Sequence, residues 1–318
     1  MTGSRVVALG HYQPAKVLTN HDLAAMVDTS DEWITSRVGI KTRHLGGPDE
    51  PVDELAAHAA AKALAAAGLQ PADIDLVLVA TSTAIDRSPS MSARVAARLG
   101  MSSPAVMDIN VVCSGFTHAL ATADHAVRAG AATRALVIGA DKMGDIVDWT
   151  DRSSCVLMGD GAGAAVVVAD SGTEADGRPG IGPVLWGSVP GMGDAVRIEG
   201  TPPRFAQEGQ SVYRWATTQL PPIARKVCEK AGITPEDLAA VVLHQANLRI
   251  IEPVARKIGA VNAVIARDVV DSGNTSAASI PMALSKLVER GEVATGAPVL
   301  LFGFGGNLSY AGQVIRCP

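Results

Sequence analysis

With 318 residues, of which 47% are apolar, 19% charged and only 3% aromatic, the chain has ample material for a large alanine- and valine-rich core, and this composition excludes a disordered protein. Its 27 basic and 32 acidic residues give a net charge of −5, which argues against a nucleic-acid or membrane-surface protein at the level of the whole chain. Cys113, Cys155, Cys228 and Cys317 stand far apart with no C-x-x-C pair or Cys/His cluster, so no disulfide framework and no metal site are expected, and a reducing cytoplasm fits.

The opening Met1-Thr2-Gly3-Ser4-Arg5-Val6-Val7 reads as a strand start, since no apolar signal region follows, and no later apolar run reaches bilayer length. Val6 to Gly10 is the first predicted strand, and Leu18-Thr19-Asn20 leads into a capped helix from His21 to Val27. A second helix starts in the polar, acid-rich stretch from Asp28. Trp33 and Arg37 lie four apart there and share a face, either as a surface cation–π pair, which spacing favours, or as a platform for a flat phosphorylated ligand.

Asp53 to Gly68 is an alanine-rich helix with a C-cap glycine, and Pro71 turns the chain into a strand at Leu76-Val77-Leu78-Val79-Ala80-Thr81. Pro89 to Gly100 is another helix. In Val111-Val112-Cys113-Ser114-Gly115-Phe116 an apolar run ends at a cysteine just before a helix running from Thr117 to Gly130, on whose inner face Phe116, Leu120, Ala123 and Val127 recur. Unpaired N–H groups at a helix start favour thiolate, so Cys113 is expected to be activated. Ala135 to Ala140 is a buried strand. The run Gly159-Asp160-Gly161-Ala162-Gly163-Ala164 precedes the strand Ala165 to Ala169 and lacks a Lys-Ser/Thr ending, so it reads as close backbone packing in preference to a nucleotide loop.

The second half repeats the first. Val184 to Ser188 mirrors the opening strand, and Val77 to Val241 and Leu136 to Leu300 are each 164 residues apart. Continuous apolar strands alternating with helices imply an α/β protein of two duplicated βαβ halves, residues 1–172 and 173–318, divided near the glycine- and proline-containing stretch 171–182. Under that offset Cys113 corresponds to Ala277, with Asn274 just before it, while His244 ends a strand; the three are expected to meet between the halves.

The motifs Asp28-Thr29-Ser30-Asp31-Glu32-Trp33-Ile34, Cys113-Ser114-Gly115-Phe116, Gly159 to Ala164, His244-Gln245-Ala246-Asn247-Leu248-Arg249-Ile250, Gly273-Asn274-Thr275-Ser276-Ala277-Ala278-Ser279 and Phe304-Gly305-Gly306 fall in the order found in β-ketoacyl-acyl-carrier-protein synthase III enzymes, which the chain resembles from first strand to last. The resemblance implies a thiolase-like fold in α-β-α-β-α layers and a homodimer. It implies an acyl group passed from acyl-CoA to Cys113, then decarboxylative condensation with malonyl-acyl-carrier protein, with no cofactor and no metal. His244 and Asn274 would stabilise the enolate, and the N–H groups of Cys113 and Gly306 would form an oxyanion hole. Trp33, Arg37 and Arg152 would hold CoA, Asn247 the pantetheine, and Arg249 the carrier protein. Independently, Arg256 and Lys257 follow Arg249 by seven and eight residues and are expected to share its outer face.

Two departures from the family pattern matter. Asn307 replaces a third glycine, and is expected either to crowd the oxyanion loop or to adopt a left-handed conformation. Ser88 stands where acetyl-selective relatives have a large aromatic residue, so longer or branched starters are expected. Alternatives are a polyketide-priming ketosynthase of the same family and an acyltransferase that does not condense. The order of Cys113, His244 and Asn274 also fits a papain-like protease, but the C-G-S-C-W signature is absent and that reading leaves the duplication unexplained.

Overall fold

The computed structural model describes residues 3–170 and 178–318. Ten strands build two large sheets: β1 (Gly3–Tyr12), β2 (Leu76–Ala80), β3 (Ala105–Ile109), β4 (Arg134–Lys142), β5 (Asp160–Asp170), β6 (Leu185–Gly187), β7 (Ala240–Leu243), β8 (Val264–Ile265), β9 (Pro298–Phe304) and β10 (Tyr310–Arg316). The first sheet runs β1-β5-β4-β2-β3 and the second β6-β10-β9-β7-β8, one topology used twice. Register repeats too: Val77 pairs with Leu136 in parallel, and Val241 with Leu300. The expected boundary at residues 172 and 173 lies outside the described residues.

Because side chains alternate across a strand, each apolar strand serves two cores. Leu76, Leu78 and Ala80 of β2 and Val299 and Leu301 of β9 face a central core that also takes Phe116, Leu120, Ile280 and Leu284. Those residues belong to α4 (Gly115–Arg128) and α7 (Ser279–Glu289), the two helices between the sheets; the remaining helices of eight residues or more are α1 (Asp31–Val38), α2 (Val52–Ala67), α3 (Met91–Arg98), α5 (Gly209–Lys230) and α6 (Leu248–Ile258). Val77 and Val79 turn the other way, onto α2 and α3, while Leu300 and Phe302 turn onto α5 and α6. The result is the five-layer α-β-α-β-α arrangement.

The duplicated glycines Gly139 in β4 and Gly303 in β9 let the central helices begin directly on the strands. A Cβ on Gly139 would lie 2.3 Å from the Ala277 carbonyl oxygen, and one on Gly303 2.4 Å from Thr117 Oγ1. The 159–164 run, expected ahead of a strand, lies almost wholly inside β5, and a Cβ at Gly163 would be 2.6 Å from the Met282 nitrogen. Close packing against α7 explains Gly161 and Gly163, and the near approach of the Ser272 carbonyl explains Gly159. Val184 to Ser188 shortens to the three-residue edge strand β6, and all four cysteines are free and buried. Among the described residues no helix is long and apolar enough to cross a membrane.

Candidate active site

Cys113 sits in a single tight turn, Val112–Ser114, that feeds α4. Val112 has φ of +48°, a left-handed conformation that opposes its β-branched side chain and stores about 1–3 kcal/mol of strain. The turn recurs before α7 at Ser276–Ala278, where Ser276 has φ of +51°. Each turn is braced by an asparagine: Val112 N–H donates to Asn110 Oδ1 at 3.4 Å and Ser276 N–H to Asn274 Oδ1 at 2.9 Å. With its oxygen occupied, Asn274 has its amide Nδ2 left to donate into the cavity it lines.

The expected thiolate is not the resting state. Burial pushes the Cys113 thiol up to about 12, and the Asp141 carboxylate adds to the rise. The Ser276 hydroxyl and the N–H groups of Gly306 and Cys113 itself pull the other way without prevailing. Desolvation outweighs the helix start because the cysteine is only 7% exposed. Those two N–H groups nevertheless lie close enough to the sulfur to favour negative charge on it.

His244 directly follows β7, is 2% exposed, and packs edge-on against Phe304 with ring centroids 5.3 Å apart. Burial drives its pKa down to about 3, so the imidazole is neutral at ordinary pH. Its Nδ1 lies 2.8 Å from Ser279 Oγ, which also accepts the Gln245 N–H at 3.3 Å. When the Ser279 hydroxyl donates to Nδ1, the neutral imidazole carries its own proton on Nε2 and can donate from there.

A cavity of about 590 Å³ joins these groups to solvent, and Cys113, His244 and Asn274 all line it. Arg37, Arg249 and Asn247 line it as well; Asn247 caps α6 by accepting the Ile250 N–H on Oδ1, which leaves its amide nitrogen to donate. Trp33 and Arg152 do not line the cavity. Two guanidinium groups approach the Trp33 ring, that of Arg37 at 5.8 Å and that of Arg152 at 5.0 Å, and Arg152 donates to the Asp28 carbonyl.

Three expectations are corrected or resolved. Ser88 is exposed in the loop 81–90 and is absent from this cavity. Lys257 does not share the face of Arg249. Eight residues turn a helix 80° past two full turns, so its ammonium reaches α5 and donates to the Thr217 carbonyl, while Arg256 stays exposed below Arg249. Asn307 adopts φ of +60° and points outward, so it does not crowd the loop. Sequence reasoning missed the walls: Arg214 adds a third cation, and Leu157, Phe205, Val212 and Phe304 supply the apolar lining. Only Phe304 had a cue, as the residue before Gly305-Gly306.

Models of the family described as 3-oxoacyl-[acyl-carrier-protein] synthase III match residues 107–184, and its C-terminal part matches 228–317. The chain is 82% identical, over the full length of both, to β-ketoacyl-[acyl-carrier-protein] synthase III 2 of Streptomyces avermitilis. Among solved structures it resembles the priming β-ketosynthase of the R1128 polyketide pathway, with 39% identity, TM-score 0.95 and coverage of 100% of this chain and 97% of that one. The synthase III of Aquifex aeolicus gives 38% identity and TM-score 0.93, covering 99% of this chain and 100% of that one. A duplicated α/β fold, a buried cysteine facing two N–H groups, a neutral histidine and an asparagine amide in one cavity thus accompany likeness along the whole chain, which belongs to the β-ketoacyl-acyl-carrier-protein synthase III family of condensing acyltransferases.

Proposed function

We propose that Cys113 takes a short acyl group from acyl-CoA and that the acyl-enzyme then condenses with malonyl-acyl-carrier protein, releasing CO₂ and starting fatty-acid synthesis. The observation that carries this is the pair of neutral hydrogen-bonding groups in the cavity of the cysteine, the Asn274 amide and the His244 imidazole, which donates from Nε2 when Ser279 donates to Nδ1. Decarboxylation leaves an enolate oxygen that needs such donors, whereas a thioester exchange alone does not. The enolate carbon attacks the acyl-Cys113 carbonyl, and the N–H groups of Cys113 and Gly306 hold the oxyanion. Arg37, Arg214 and Arg249 suit the phosphates of CoA and the acidic face of a carrier protein, and Arg256 extends that surface. Trp33 with Arg152 forms an adjacent platform for the CoA nucleotide. No cofactor has a step in this chemistry.

The partner in solution is a second copy. Edge strand β3 leaves its ladder open and exposes Val106 at 40% and Met107 at 49%, and Ile85 in the neighbouring loop is 69% exposed. Pairing β3 with its symmetry mate covers this patch, and Ser88, in the same loop, then contributes to the cavity of the other copy. The 39% identity to a polyketide-priming enzyme supports a second reading, in which the same site primes polyketide assembly. Intact-protein mass spectrometry with acetyl-, isobutyryl- and longer acyl-CoAs, followed by malonyl-carrier proteins of each kind, tests both. An acyl mass that requires Cys113 and is discharged as a β-ketoacyl carrier protein upholds the reading; acylation without discharge reduces the chain to an acyltransferase.

A further inference from the structure

Arg43 is the largest fully buried side chain among the described residues, and no carboxylate among them pairs with it. Burial lowers its pKa to about 10, so the guanidinium stays charged at ordinary pH. A buried cation without a counter-ion is costly, and packing alone would be served by an apolar residue of similar volume. What the charge holds is therefore informative. Nη1 donates to Asn20 Oδ1 at 2.8 Å and to the Leu18 carbonyl at 3.4 Å, Nη2 donates to the Val156 carbonyl at 2.8 Å, and Nε has no partner among the described residues. One side chain thus ties residues 18–20 to residue 156.

Val156 opens the stretch that holds Asn274. The Asn274 N–H donates to the Leu157 carbonyl at 2.8 Å, and the Asn274 carbonyl accepts the Gly159 N–H at 3.1 Å. A Cβ on Gly159 would lie 3.2 Å from Arg43 Cβ and one on Gly273 3.1 Å from it, so the arginine stem rests against both sides of this ladder. The residues leading to Asn274 are gripped from beside Arg43: the Lys41 N–H donates to the Val270 carbonyl at 2.7 Å and Thr42 Oγ1 to the Asp271 carbonyl at 2.8 Å. At the far end Asn20 is itself fixed, donating through Nδ2 to Asp31 Oδ1 and to the Ile40 carbonyl, each at 2.8 Å.

We infer that Arg43 is a positioning residue for Asn274, fixing through Val156 the 157–159 ladder on which the Asn274 backbone is set. With Oδ1 committed to the Ser276 N–H, that backbone decides where the amide nitrogen points. Arg43 does not line the cavity and touches no reacting group, so it acts only through the asparagine. Misplacing a donor by on the order of 1 Å costs about 10²-fold in rate. The inference rests on the enolate-stabilising role given to Asn274 above.

Arg43→Lys, which keeps the charge but replaces the planar fork with one point donor, and Arg43→Met, which fills the site without charge, test it. Decarboxylation of malonyl-carrier protein is expected to fall at least about 10-fold in both, while acetyl transfer from acetyl-CoA to Cys113, followed by intact mass, stays within about threefold. The same substitutions are then made in Asn274→Ala, where Arg43 has no amide left to place. There they should lower decarboxylation by less than about twofold, the signature of two residues acting as one unit. A loss below about threefold in a folded variant overturns the inference, and so does an equal loss with and without Asn274, which is how a merely structural arginine behaves. Failure of both variants to fold, seen as a missing thermal transition, would reduce Arg43 to a core residue and overturn it as well. A wild-type enzyme that does not decarboxylate malonyl-carrier protein would instead sink the enolate reading itself.

Discussion

The turn before α4 and the turn before α7 are one backbone shape built twice, and they differ in the side chains they carry and in what surrounds them. Both have an asparagine accepting an N–H two residues on, a positive-φ residue, one tight turn and then a buried helix. At the offset of 164, Cys113 faces Ala277, His244 faces Ala80, Ser279 faces Gly115 and Gly305 faces Asp141. In the first half the Asp141 side chain reaches over the turn to bind Ala277 N–H. In the second half the corresponding residue has no side chain, and a Cβ there would lie 2.6 Å from Cys113 Cβ and 3.0 Å from its sulfur. One turn is closed by a carboxylate, and its twin stands open above a thiol.

Making the open turn like the closed one has its largest effect at the nucleophile. Cys113→Ala, which copies Ala277, is expected to abolish acyl-enzyme formation and lower condensation by roughly 10⁴-fold or more, read by intact mass and by β-ketoacyl product. Decarboxylation should persist, because its donors come from the other half. Loss of decarboxylation as well would mean that the two halves do not divide the chemistry.

The next substitution, His244→Ala, copies Ala80 and removes one enolate donor, so decarboxylation should fall about 10²- to 10³-fold while acylation survives better. The same residue gives a pH signature. Its folded pKa of about 3 lies below the unfolded value of 6.5, so between those values the unfolded chain binds the extra proton. The histidine's contribution to stability is complete above pH 6.5 and is lost as pH falls toward 3, by roughly 5 kcal/mol at 1.36 kcal/mol per unit. Asp160 acts with the opposite sign: burial raises its pKa to about 7 from 3.8, and its contribution is lost as pH rises through that interval. Urea unfolding of His244→Ala between pH 6.5 and 4 should therefore show less acid destabilisation than wild type; unchanged pH dependence would contradict a neutral buried imidazole.

Gly305→Ala puts back the first atom of the missing side chain. It is expected to slow acylation about 100-fold by crowding the space over Cys113, with about 1–3 kcal/mol of destabilisation from overpacking. Activity near the wild-type level would show that the acyl group does not use this opening.

Much of the comparison could be read before any coordinates, because a constant offset between apolar strands survives in the residues themselves. That offset predicted two like sheets and brought Cys113, His244 and Asn274 toward one place. Other features left no periodic trace. The cavity walls Leu157, Phe205 and Val212 come from segments that touch only after folding, and Gly305 matters for the atoms it lacks. The thiol's high pKa also escaped, because a helix start is visible in sequence whereas complete burial is not. For Lys257, counting residues along α6 missed the 80° that carries it onto α5.

The smallest effect belongs to Asn307, whose counterpart is Met143. Its φ of +60° is a conformation asparagine tolerates better than most residues, and its side chain is exposed. Asn307→Gly removes that residual strain but adds freedom to the unfolded chain, two terms of opposite sign and each below about 1 kcal/mol. The melting temperature should move by no more than about 2–4 °C, and acylation should stay within about twofold. A large gain in activity would mean that the asparagine restrains the loop carrying the Gly306 N–H. An unchanged rate would place the demand for an open turn at Gly305 and Gly306, the two positions whose missing side chains border Cys113 and Val112.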